Sequence, residues 1–293
     1  MPEILKPDRG GRRSKLAASQ YFKHTISSTP RHEILSDGAF VLSRSLNRTA
    51  LRRYSNGTKS IPPSNDKALT PSENNLITLL SVVAGMTELI GYITLGNIFA
   101  AHITGNLVLA AASLMSTGSM NIAQVLTIPM FILAVAITWL IARLSRTSGQ
   151  ALVRLLLATE FAFLVGVLVF SGVLKPTSNL HGLLTGVAAM MAVGAMGCQF
   201  TLRRLCLPRA AATVVMTSNL ADSVLSFVEA YRRPQVRSEN IRPFEHYFRP
   251  VCGFAIGGIS AAFAVYYMGN FAWVLPAAGA GIAIKICPRQ IGR

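Results

Sequence analysis

The chain has 293 residues, of which 51% are hydrophobic and 14% are charged, and its mean hydropathy is +0.45. This balance suits a lipid bilayer and excludes a soluble domain for most of the length. The net charge of +16 lies in the N-terminal part and in short links between apolar runs. That distribution is typical of membrane topology and excludes a nucleic-acid-binding face.

Residues 1–75 form a basic segment without the periodicity of a helix or a strand. They are rich in Ser, Arg, Asn, Gly and Pro, and they hold 13 Lys/Arg against six Asp/Glu. We predict a mostly disordered tail on the cytoplasmic side. Because basic segments beside a membrane attract anionic lipid, recruitment of a partner or of such lipid by this tail is one candidate function.

Residues 76–287 are predicted to form a helical membrane domain with eight apolar segments. Most of the segments approach the length of about 20 residues that a spanning helix needs. The segments are Leu76–Leu95, His102–Thr117, Ile122–Leu144, Leu152–Leu174, His181–Arg203, Thr213–Tyr231, Pro250–Met268 and Phe271–Cys287.

One polar pattern occurs twice, in His102–Leu107 and in Val215–Leu220. If Asn106 and Asn219 cap helices, about 12 residues follow each cap, roughly 18 Å of helix and nearer half a bilayer than a whole one. Polar backbone at membrane depth is tolerated only where it is buried in protein or lines a watery cavity. The two turns, Thr104-Gly105-Asn106 and Thr217-Ser218-Asn219, are therefore the predicted functional site.

Two topologies compete, and the basic residues distinguish them. With eight spans and a cytoplasmic tail, Arg143 and Arg146 fall outside, as do Arg203, Arg204 and Arg209. With six spans, in which the second and sixth segments enter and leave on one side, only Lys175 falls outside. The positive-inside rule therefore favours six spans.

The predicted fold class is an all-α membrane protein with six transmembrane helices and two re-entrant or short half-helices. Its halves, residues 76–174 and 181–287, would form an inverted repeat, which is common in transporters. The alternative is eight spans in a parallel repeat. We expect a plasma or bacterial inner membrane rather than an organelle membrane, with both termini in the cytoplasm.

The same residues carry a family resemblance over positions 76–287. Gly85–Tyr92, Phe99 and Thr104–Asn106 resemble the first signature of the YoaK family of bacterial and fungal membrane proteins, which is also called domain of unknown function 1275. Its second signature is similar to Gly197–Gln199, Arg203–Leu205, Thr213, Thr217–Asn219 and Asp222. The family usually has Asp at Glu88, Gly at Ser218 and Asn at Phe200. The resemblance implies a fold and a membrane location, and supplies no activity.

Glu88 is the main candidate for proton or cation binding. A carboxylate in the first span is costly if it is ionised and faces lipid, so it must face the bundle, be protonated or be paired. The alternative is a neutral carboxyl group that hydrogen-bonds a neighbouring helix. Gln199 is a further candidate lining residue, although amides also bridge membrane helices structurally.

The Thr-small-Asn turns are predicted to line a constriction, since facing half-helix N-termini would present N–H donors and positive dipole ends to a solute. Alternatively, they cap tight hairpins. His102 is expected at the outer interface, Glu160 near the inner interface, and the side chain of Arg203 is expected to snorkel.

No catalytic, cofactor or metal site is predicted. The chain lacks a phosphate-binding loop, an H-E-x-x-H motif and a nucleophile elbow, and Cys198, Cys206, Cys252 and Cys287 have no zinc or disulfide spacing. We therefore expect no enzyme. The predicted function is a channel or a proton-coupled secondary transporter for a small solute, with the lipid bilayer, the solute and a proton or cation as partners.

Overall fold

A computed structural model describes residues 69–117, 121–145, 147–174, 182–232 and 237–288, so most of the predicted tail lies outside the described residues. Within these ranges the fold is all-α and contains no β-strand. The helices are α1 (Pro71–Thr94), α2 (Ile103–Thr117), α3 (Ile122–Leu144), α4 (Gln150–Leu174), α5 (Leu183–Cys206), α6 (Met216–Arg232), α7 (Arg237–Met268) and α8 (Val274–Ile286), the last preceded by a 3₁₀ turn at Gly269–Trp273.

Helix α1 begins five residues before the first apolar segment, at a capping box. The side chain of Thr70 accepts from the N–H of Glu73 at 3.2 Å, and Glu73 Oε2 accepts from the N–H of Thr70 at 2.8 Å. Pro71 takes the first helical position, where no N–H is needed. Hydropathy alone misses this start because the first turn is polar.

Five stretches among the described residues are long and apolar enough to cross a membrane. Four are α1, α3, α5 and Gln150–Gly172 of α4, while the fifth, Pro243–Ile286, contains most of α7 and all of α8. Helix α2 is a shorter apolar helix, and α6 carries a polar and an apolar face. At 1.5 Å per residue, α2 and α6 are roughly 22 Å and 26 Å long, less than the ~30 Å of a hydrocarbon core.

Glycines mark the closest helix contact, between α1 and α7. A Cβ at Gly253 would lie 2.9 Å from the carbonyl oxygen of Thr78, and one at Gly257 would overlap the carbonyl group of Val82. Both numbers rise together along the two helices, so α1 and α7 are parallel. The small residues therefore allow two backbones to touch, as the Gly-x-x-x-Gly spacing predicts.

The other helix directions follow from the same kind of contact. Helices α3 and α5 are parallel, whereas α4 with α5, α1 with α8, and α4 with α8 are antiparallel. Consequently α1, α4 and α7 run one way, and α3, α5 and α8 run the other. The contacts are Ala123 with Gly186 and Ala134 with Gly197; Phe163 with Gly194 and Met191 with Gly166; Val83 with Gly279 and Thr94 with Trp273; Phe161 with Gly281 and Phe271 with Gly172.

The core consists of two apolar clusters. The central cluster joins α1, α4, α5, α7 and α8 and includes the fully buried Trp273. The second cluster lies toward the N-terminal end of α1 and the C-terminal end of α5, around Leu76, Leu80 and Leu202. Ala101 and Val214, the residues shortly before α2 and α6, both belong to the central cluster.

Candidate functional site

The loop between α1 and α2, residues 95–102, is fastened to the start of α3. Gly96 and Asn97 turn the chain with φ values of 76° and 59°. Asn121 donates to the carbonyl oxygen of Gly96 at 3.4 Å, and Gln124 donates to that of Asn97 at 3.2 Å. Since Asn121 and Gln124 lie at the start of α3, helix α1 ends and helix α3 begins at the same end of the bundle.

Glu88 of α1 binds the N-terminus of α2. The N–H of Ala101 donates to Oε2 at 2.6 Å, and the N–H of His102 donates to Oε1 at 3.2 Å. The Nδ1 of His102 is also bonded to Oε1. Glu88 is buried, so its carboxylate is stabilised by these donors and by the positive end of α2. It faces the bundle and is paired, as its position in the first span requires.

These bonds place the N-terminus of α2 inside the bundle. Glu88 lies six residues before the end of α1 at Thr94, a drop of about 9 Å along the helix axis. The ring of His102 also lies 6.3 Å from that of Phe254 on α7, the residue whose carbonyl group contacts Gly85. The loop therefore descends from the end of α1 before α2 starts.

His102 is more than the isolated interfacial residue that the sequence predicted. Its side chain remains 44% exposed while it contacts the buried carboxylate. The hydrogen bond with Glu88 raises the pKa of His102, and partial burial opposes this effect. A buried carboxylate followed by a His directly before the next helix was the available signal, but 14 residues separate them in the chain.

Asn106 binds the backbone of the same loop. Its Oδ1 accepts from the N–H of Phe99 at 2.7 Å, and its Nδ2 donates to the carbonyl oxygen of Phe99 at 2.7 Å and to Thr127 Oγ1 at 3.1 Å. The side chain is 0% exposed. The predicted N-cap is wrong, because α2 begins at Ile103 and the amide oxygen is already bonded to Phe99.

Asn219 repeats this arrangement before α6. Its Oδ1 accepts from the N–H of Ala212 at 3.2 Å, and its Nδ2 donates to the carbonyl oxygen of Ala212 at 2.6 Å. In both halves the partner lies seven residues earlier. Asn219 is not an N-cap either, since α6 begins at Met216. The duplicated pattern thus encodes a duplicated clamp on a loop.

The other predicted lining residues divide by exposure. Thr104, Thr217 and Ser218 are exposed, whereas Gly105 is half-buried against the ring of Phe99. Gln199 is fully buried and donates from Nε2 to the carbonyl oxygen of Leu80 at 3.0 Å. Gln199 therefore joins α5 to α1, in line with the structural alternative weighed for it.

Two further ionisable residues lie differently from the expectation. Arg203 is half-buried, and its Nε donates to the carbonyl oxygen of Ala210 at 2.9 Å, so it holds the loop between α5 and α6 instead of only snorkelling. Glu160 does not reach an interface: it is 0% exposed, on a face of α4 inside the bundle. Exposure is set by the helix face, which position along a span cannot reveal.

A cavity of about 390 Å³ opens at the end of the bundle where α1 and α4 terminate. Thr94, Ser171 and Asn270 supply polar groups to its wall, and Phe271 and Ile93 supply apolar surface. The cavity lies at the end from which the α1–α2 loop descends. None of the predicted site residues lines it.

The comparisons with known proteins agree with the family resemblance. The family model described as "Protein of unknown function (DUF1275)" matches residues 76–286. The UPF0700 transmembrane protein YoaK of Bacillus subtilis (strain 168) is 50% identical over 36 residues, which is 12% of this chain and 16% of that protein. No solved structure matches the chain. Because the family model spans more than half of the sequence, the chain belongs to the DUF1275 family of membrane proteins.

Proposed function

We propose that this protein is a channel or a proton-coupled secondary transporter for a small solute, built from six crossing helices and two half-helices, α2 and α6. The observation that carries the proposal is the depth of the α2 N-terminus, which is bonded to Glu88 about 9 Å below the end of α1. Half-helices that start inside a helical bundle are the usual lining of transporter sites.

An inverted repeat is supported by the helix pairs. Exchanging α1–α4 with α5–α8 converts the α1–α7 pair into α5–α3, the α4–α5 pair into α8–α1, and the α6–α7 pair into α2–α3, all of which are in contact. The exchange also reverses direction, because α1 and α5 run oppositely, as do α4 and α8. A parallel repeat would keep these directions.

Six crossings are supported by the ends of α2 and α6. The start of α3 bonds the loop that follows α1, so α2 returns to the end from which it began. Likewise, Arg203 near the end of α5 interacts with Tyr247 near the start of α7. The Arg-bearing ends then fall on the cytoplasmic face.

The candidate residues take distinct roles in this proposal. Glu88 binds the proton or cation, and the exposed part of His102 gives that proton a path to water. Thr104, Thr217 and Ser218 contact the solute, with Gly105 leaving room beside them. Asn106 and Asn219 fix the backbone of the constriction, because their amide groups are bonded to the loops. Gln199 holds α5 against α1 behind the site.

Cysteine accessibility tests the topology. Single cysteines at Ser145, Ser178, Ser238 and Asn270 are introduced after Cys198, Cys206, Cys252 and Cys287 are replaced by serine. Six crossings require Ser145 and Ser238 to label from one side of the membrane and Ser178 and Asn270 from the other. Labelling of Ser145 and Ser238 from opposite sides would contradict the arrangement.

Flux in proteoliposomes tests the activity. The full chain is reconstituted with trapped pyranine to follow protons, and light scattering after an osmotic step follows glycerol and urea. We expect flux above protein-free vesicles that is lost in Glu88→Gln. Thr147→Ala serves as a matched control, since Thr147 is exposed on the link between α3 and α4. Flux unchanged by Glu88→Gln would remove the role given to Glu88, and absence of flux for every probe would count against transport.

A further inference from the structure

A second carboxyl group lies in the bundle and has no part in the site around Glu88. Glu160 of α4 is 0% exposed, and neither Oε1 nor Oε2 has a hydrogen-bond partner. Glu88 is also buried but is bonded by two backbone N–H groups and a ring nitrogen. Both carboxyl groups are buried, but of the two only Glu88 has the hydrogen-bond donors that an ionised carboxylate needs.

Among the residues that the structure describes, no cation pairs with Glu160. Cys198 on α5 interacts electrostatically with Glu160, and the thiol of Cys198 is itself bonded to Thr138 of α3 at 3.1 Å. On α4, Arg154 lies six residues earlier and its side chain is bonded to Cys287. On α8, which also packs on α4, Lys285 is exposed.

The balance of energies decides the form of this group. An unpaired buried carboxylate costs far more free energy than a neutral carboxyl group buried without partners, because the charge loses its hydration. A merely structural glutamate would be hydrogen-bonded, because that removes the cost. Gln199 of α5 and Thr87 of α1 also carry buried oxygens that have no partner among the described residues.

We propose that Glu160 is an occluded proton-binding site: it holds one proton in the conformation described here and releases it only when α4 and α5 separate. A proton needs no cavity, unlike a metal cation with its shell of oxygens. In the contact that must open, a glycine of one helix packs against a large side chain of the other, with Gly194 against Phe163 and Gly166 against Met191. The packing between α4 and α5 therefore keeps the proton on Glu160 until the two helices separate.

Infrared spectroscopy of the purified full chain tests proton binding without any assumption about transport. At neutral pH we expect the carbonyl stretch of a protonated carboxyl group that is absent in Glu160→Gln and retained in Glu88→Gln. On alkaline titration this band should persist beyond the pH at which exposed carboxyl groups have ionised. Identical wild-type and Glu160→Gln spectra at neutral pH would overturn the proposal.

Two further measurements separate the alternatives. Glu160→Gln mimics the protonated state, so it should melt at or above the wild-type temperature in detergent, whereas Glu160→Lys should fold poorly. The melting temperatures of both proteins are also compared in sodium chloride and in choline chloride. If sodium chloride stabilises the wild type more than choline chloride does, and Glu160→Gln shows no such difference, a metal cation is the ligand and the proposal is overturned. In pyranine-loaded vesicles, a loss of pH-driven flux in Glu160→Gln would join this site to the proposed function. If the wild type gives no flux, the infrared result still decides the role of Glu160.

Discussion

The loop before α2 and the loop before α6 are held by the same kind of hydrogen bonds from an Asn side chain, but each has a second, charged anchor, and the two anchors have opposite charges. In each, a buried Asn near the start of the following helix bonds both the N–H and the carbonyl group of the residue seven positions earlier. The first loop is then held by the carboxylate of Glu88 through N–H groups. The second is held by the guanidinium of Arg203 through a carbonyl oxygen.

The comparison separates two requirements. The Asn bonds meet the needs of the loop backbone, whereas the sign of the charged anchor depends on the side of the membrane. A loop that turns into a bundle must satisfy its peptide groups, and an amide can serve as donor and acceptor at once. The charged anchor is free to differ. In the proposed topology the anionic anchor lies toward the outer face and the cationic anchor at the cytoplasmic face, as positive-inside charge demands.

The largest effect on stability is expected from the two Asn side chains, which hold both loops in the same way. Asn106→Leu and Asn219→Leu should each destabilise the protein by about 2–4 kcal/mol, because two partly buried backbone groups lose their partners. The measurement is thermal or denaturant unfolding in detergent. Asn106→Asp is the matched variant: once protonated, its carboxyl group keeps the acceptor for Phe99 and supplies one donor, so its loss should be smaller at acidic pH. A neutral result for either leucine variant would show that the clamps are not equivalent.

A smaller and unequal effect is expected from the anchors. Glu88→Leu leaves two N–H groups without their acceptor and should cost about 2–3 kcal/mol, whereas Arg203→Gln removes the half-buried donor to one carbonyl oxygen and should cost about 1 kcal/mol. Paired unfolding curves of the two variants measure the difference. Equal losses would mean that the two charged anchors contribute equally to stability, and would contradict the difference expected between the loops.

The smallest effect concerns pH and belongs to the first loop alone. The pKa of His102 is raised above its ordinary 6.5 by the bond to Glu88, so the protonated pair contributes stability fully below that pH. The contribution is lost as the pH rises through the raised value. The melting temperature of the wild type should therefore fall over this window more than that of His102→Gln. Parallel curves would remove the ion-pair assignment.

Much of the fold was predictable because hydropathy and turn residues carry it. The eight apolar segments correspond to α1–α8, and Ile122–Leu144 agrees at both ends. The duplicated Thr-small-Asn pattern also identified the two loops whose backbone a buried Asn holds. These features are local, so a single chain displays them.

The partners of the site residues could not be predicted. The positions of Asn106 and Asn219 resembled helix caps, but a cap and a clamp on a residue seven positions earlier have the same sequence signal. The burial of Glu160 depends on which face of α4 meets α5, and α4 is too uniformly apolar to display a face. Arg203 likewise looked like a topology marker, since its carbonyl partner lies in a loop without a distinctive sequence.

The close pairing of α1 with α7, and of α3 with α5, interlocks the two halves of the molecule. Helix α1 is synthesised before α7, so it must remain in the membrane without its glycine-lined partner until the second half has been made. If the folded protein is cut between α4 and α5, the two fragments should therefore stay associated. Either fragment produced alone should insert into the membrane without the helix that it packs against.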